Sequence, residues 1–186
     1  MSVRQSGAST TLYIGAGVLA QLVVFSLGPP AHSSPRTTAR NWLAANEPYL
    51  VEVADALWEI PEPGHQEVQT SEYLQGELAH AGFTIETEVA GLPTAFVASY
   101  GSGRPVIGIV ALMDALPGLS QEKFATERRP VAANNAGSAG HGCGHNLIGA
   151  ADLGAALAVR HAIETEELEG TIRFSDERAN PGSRSA

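Results

Sequence analysis

Seven consecutive apolar or glycine residues, Val106 to Leu112, constrain the fold of this chain more than any other feature. A continuous apolar run of that length, rich in β-branched side chains, describes a strand covered on both faces, the kind found at the centre of a sheet flanked by helices. Gly101-Ser102-Gly103 supplies a turn before it, and Asp114 ends it. Around this strand the hydrophobic period changes. Upstream, Trp42, Leu43, Leu50, Val53, Ala54 and Leu57 recur at helical spacing. They predict a helix capped by Thr37 or Thr38 and running to about Ile60, where Pro61 and Pro63 stop it. A second helix is expected over residues 67–81, with Gly82 as its left-handed terminator.

Phe83, Ile85 and Thr87 then alternate with polar residues, and Thr94 to Tyr100 reads as a further strand. A long polar loop occupies residues 121–140. Asn146 is placed to cap a third helix reaching about Glu164, and Gly170 to Phe174 begins another strand. The predicted class is α/β, a mixed or mostly parallel sheet flanked by helices.

Charge separates the chain into unlike parts. Residues 1–40 hold three arginines and no acid, while all 20 acidic residues lie from Glu47 onward. Arg4 precedes the apolar stretch Thr11 to Gly28, and small and polar residues follow. That order is the pattern of an export signal or an uncleaved membrane anchor over residues 1–31, implying a periplasmic, extracellular or membrane-anchored protein with membrane contact through residues 11–28. Residues 32–40 are then a linker, 41–174 a catalytic domain in part, and 175–186 an irregular tail. The formal net charge of −9 repels phosphate backbones, which argues against nucleic acid as a partner.

Chemistry concentrates in two places. Gly140-His141-Gly142-Cys143-Gly144-His145-Asn146 packs thiol and imidazole groups into a glycine-rich loop that enters a helix. Both groups are good ligands for zinc-like metals, and glycines let side chains two apart converge on one point. Leu112-Met113-Asp114-Ala115-Leu116-Pro117-Gly118-Leu119 puts an acid at the carboxyl end of a strand, where open α/β sheets place their ligand crevices. Asp114 is the candidate catalytic acid, able to bind a metal or to orient a ligating histidine. His141 reads as a loop residue supporting its neighbours.

These stretches, together with Leu57-Trp58-Glu59-Ile60-Pro61-Glu62-Pro63-Gly64 and Gly170-Thr171-Ile172-Arg173-Phe174, resemble the M20 metallopeptidase/amidohydrolase family in its aminobenzoyl-glutamate hydrolase-like branch. The resemblance covers roughly residues 38–174 and corresponds to the amino-terminal part of a zinc-peptidase-like catalytic domain. It implies two divalent metal ions (Zn or Mn), with Cys143 and His145 as metal ligands and Asp114 as the acid after the strand. It further implies a homodimer, and a metal-activated water that attacks the amide bond of an N-acyl amino acid or small peptide with a glutamate as general base. The chain departs from the family after Phe174. Ser175-Asp176-Glu177-Arg178 replaces the turn that carries the base, and the later histidine ligands have no counterpart. Two rival readings follow from the same residues: a cysteine hydrolase with Cys143 as nucleophile and His141 or His145 as base, and a truncated product without activity.

Overall fold

The computed structural model describes residues 34–131, 139–176 and 179; the signal or anchor expected over residues 1–31 and the tail beyond Asp176, Ala179 apart, lie outside these. Among the described residues no helix is long and apolar enough to cross a membrane. Among the described residues four α-helices and four strands follow in the order α1 (Pro35–Ala45), α2 (Glu47–Glu59), α3 (Val68–His80), β1 (Thr84–Thr87), β2 (Phe96–Ser102), β3 (Val106–Ala111), α4 (His145–Thr165) and β4 (Gly170–Asp176).

The strands form one mixed sheet in the order β1-β2-β4-β3. β2 runs antiparallel to both β1 and β4, while β3 and β4 are parallel. On β4, Ile172 and Phe174 point to a covered face, where Phe174 stacks on Phe96 at 5.8 Å between ring centroids. α3 and α4 pack on that face, and α1 and α2 pack on α4. Leu57, Leu74, Leu78, Leu153 and Ile172 fill the layer between them.

Four expectations are corrected. The single helix predicted to Ile60 is two. Pro48 lacks an N–H and its ring crowds the carbonyl four residues back, so the helix must break before it. Asn46 sits at the break and returns its backbone and side-chain N–H groups to Trp42. Ser34, not Thr37 or Thr38, caps α1, so the helix already occupies most of the expected linker over residues 32–40. At α4 the cap is Gly144 in the left-handed region (φ 73°), and Asn146 lies buried inside the first turn. The final strand reaches Asp176, which the sequence assigned to the tail.

The strand over Val106–Ala111 also differs in place. It occupies a sheet edge, and Val106, Ile107 and Val110 are exposed among the described residues. An apolar run reports what a strand needs over it; it does not say which part of a polypeptide supplies the cover.

Candidate metal centre

Three loops meet at the carboxyl end of β3. The first follows α2: Pro63 bridges to Ala115, and the Ala115 N–H donates to the Glu62 carbonyl at 2.7 Å. Glu62 itself is held by the start of α3, its carboxylate accepting from the Thr70 N–H and hydroxyl. The second loop carries Asp114. The third is the glycine-rich motif, joined to the second by the paired backbones of Leu116 and Gly140. Glycine is required at 140 because a Cβ there would overlap the Leu119 carbonyl. The motif then turns tightly, the Gly144 N–H donating to the His141 carbonyl, and enters α4.

The motif's side chains divide into two tasks. His141 and Asn146 hold the loop to the last turns of α2 by side-chain hydrogen bonds to its backbone carbonyls. His141 donates through Nε2 to the Leu57 carbonyl at 2.9 Å, and Asn146 donates through Nδ2 to the Ala54 carbonyl at 3.1 Å. Burial pushes the His141 imidazole below its ordinary pKa, against the opposing effect of the Leu57 carbonyl. The ring is therefore neutral near pH 7, with its bare Nδ1 buried and unpaired. This matches the supporting role expected of His141.

Cys143 is exposed, and His145, two residues on, is half-buried against Asp114. His145 Nδ1 lies 2.8 Å from Asp114 Oδ1 and 3.0 Å from the Asp114 backbone oxygen. Both partners are acceptors, so Nδ1 carries the proton and donates. The remaining nitrogen, Nε2, makes no hydrogen bond to a described residue and is the ring position left for a further partner. This carboxylate–imidazole pair is the arrangement that fixes tautomer and ring orientation in metal-ligating histidines. The Cys143 thiol is exposed and makes no hydrogen bond with a described residue.

A sulfur and an imidazole nitrogen suit a zinc-like ion. Among the described residues no group of three or more His, Cys, Asp or Glu side chains surrounds one point. The donor set thus fits one wall of a metal site, two ligands where structural and catalytic zinc centres take about three or four from protein.

No family model matches the chain. Over 132 residues it is 40% identical to a p-aminobenzoyl-glutamate hydrolase subunit of Escherichia coli (strain K12), covering 71% of this chain and 27% of that protein. It is 31% identical over 139 residues to IAA-amino acid hydrolase ILR1-like 5 of Arabidopsis thaliana, covering 74% and 30% of the two. The chain therefore spans less than a third of the length of these curated relatives. Among solved structures it is similar to a Bacillus subtilis dinuclear metal-binding peptidase from the M20 family, with a TM-score of 0.57 and 30% identity over 72% of this chain and 35% of the other. A Staphylococcus aureus aminohydrolase, at 23% identity and a TM-score of 0.61 over 75% and 34% of the two chains, shares the fold.

Proposed function

This chain belongs to the M20 peptidase family, and on that premise we propose that it forms the metal-facing part of a hydrolase cleaving the amide bond of N-acyl or N-aroyl amino acids or small peptides. The observation that carries this reading is the His145–Asp114 pair, which engages Nδ1 and not Nε2, two residues along the chain from an exposed thiol. Cys143 and His145 are the ligands this chain contributes. Two divalent ions, Zn or Mn, would acidify a water and polarise the scissile carbonyl.

The chain's own residues do the positioning. Asp114 holds the proton on His145 Nδ1 and so keeps Nε2 available as a ligand; it acts through His145 as a positioning residue. The paired Leu116–Gly140 backbones and the His141–Leu57 hydrogen bond fix the loop that carries Cys143 and His145. Export or membrane anchoring through residues 1–31 belongs to the same proposal and rests on the sequence pattern.

Zn2+ titrated into the full chain against a chromogenic chelator tests the assignment. Binding should weaken in Cys143→Ser and in His145→Ala. Equal affinity in all three proteins would remove the metal reading.

A further inference from the structure

Beside the motif loop, on its α2 side, lies a cleft of about 260 Å³. Its walls come from Asp55 and Trp58 of α2, Lys123 and Phe124 of the long loop, His141, and Leu147 of α4. Gly144, the residue between the two proposed ligands, lines it as well.

Phe124 is the anomaly. The residue is 90% exposed, and its backbone holds φ at +64°. The left-handed region is a real outlier for a bulky residue, and strained residues of this kind cluster where ligands are held. Exposing a whole phenyl ring does nothing for the fold. The loop is nevertheless fastened at this point. Lys123 Nζ lies 2.7 Å from Asp55 Oδ2 on α2 and 5.1 Å from the Phe124 ring centroid. Leu147, across the cleft, is also exposed.

We infer that this cleft is the subsite for the aryl or acyl group of the substrate, with Phe124 and Trp58 as its specificity-determining residues. The inference rests on the hydrolase reading for its reaction, though not for its geometry. Three considerations select this end of the substrate. The apolar walls suit a ring, and about 150 Å³ of apolar space already accommodates benzene. Lys123, the cation among the described lining residues, is matched by Asp55, so it offers no free charge to the carboxylates of the amino-acid end. Gly144 lines the cleft and stands between Cys143 and His145 in the chain, so the cleft adjoins the turn that carries the proposed ligands.

The test is a titration of the full chain with benzamide, and separately with its saturated counterpart cyclohexanecarboxamide, followed by the NMR signal of the Trp58 indole N–H. Benzamide should shift that signal saturably and bind more tightly than the saturated compound, with or without chelator. Phe124→Ala should weaken benzamide by roughly threefold to tenfold, the range expected for one lost aromatic contact. Because the side chain is exposed, the variant should keep the parent melting curve. Equal benzamide affinity in parent and Phe124→Ala, or no preference for benzamide over the saturated compound, would overturn the inference. In that event a Zn2+ affinity that still depends on Cys143 leaves the hydrolase reading intact. If Zn2+ binding ignores Cys143 while benzamide binding still depends on Phe124, the hydrolase reading fails and the cleft stands as an aryl site.

Discussion

At the scale of single residues, the hydrogen bond from His145 to Asp114 decides which imidazole nitrogen is free. Replacing Asp114 by Asn removes the charge and exchanges an acceptor oxygen for an amide that can present either group to Nδ1. Loss of such a supporting partner typically costs 10- to 100-fold in metal affinity, so Asp114→Asn should lower Zn2+ affinity by about that factor while the far-ultraviolet circular dichroism stays unchanged. Affinity equal to the parent would mean that His145 is oriented by the loop backbone alone. Asp114, Cys143 and His145 stood out in the sequence as candidates because the two short motifs carry ligand chemistry with glycines between, and the structure brings the Asp114 and His145 side chains within hydrogen-bond distance. That Trp58 and Phe124 line one cleft did not show in the sequence, since an aromatic residue beside a helix end or inside a polar loop has no period to mark it. The burial of Asp176 was hidden for a related reason: its neighbours in sequence are polar, and only its register beside Ala111 puts it inside.

Elements show where local rules sufficed and where tertiary contacts overrode them. The strands over 84–87 and 170–174 and the helix over 68–80 follow their periodicity closely. The cap of α4 does not, because the Asn146 side chain is committed to the Ala54 carbonyl and a left-handed glycine turns the chain instead. The break at Asn46 was available in the sequence, in Pro48, and was masked by apolar residues that keep helical spacing across it. Gly140 tests the joint between the motif loop and the Asp114 loop. A Cβ there meets backbone, which cannot swing aside, so Gly140→Ala should destabilise by about 1–3 kcal/mol, seen in urea unfolding, and weaken Zn2+ binding as well. Unchanged stability would show that the bridge to Leu116 yields easily.

Asp152 on α4 gives a test with a defined sign. Burial raises its carboxyl pKa above the ordinary 3.8, so the folded state disfavours the charged form. At neutral pH the carboxylate therefore costs stability, and that cost is relieved as pH falls through the raised value toward 3.8. Asp152→Asn should melt higher than the parent at pH 7, with the difference shrinking to nothing below about pH 3.8. A difference that does not vary with pH would point to a change in helix propensity instead.

At the scale of the whole molecule, the sheet is covered on one face and unpaired at the β3 edge among the described residues. Val106 and Val110 share the open face with Arg173, as the parallel register sets them, and Val106 is 55% exposed. An exposed, apolar, unpaired edge is a template for pairing with other chains. The full chain should consequently self-associate as its concentration rises, and the doubly substituted Val106→Lys, Val110→Lys protein should do so less, as read by sedimentation velocity. Lysine separates two explanations. The net charge is −9, so adding two positive charges brings it to −7 and weakens the general repulsion between molecules. If net charge governed association, the variant would associate more than the parent; if the apolar face governs it, the variant associates less despite the weaker repulsion. Association unchanged or increased in the variant would rule out this face as the contact.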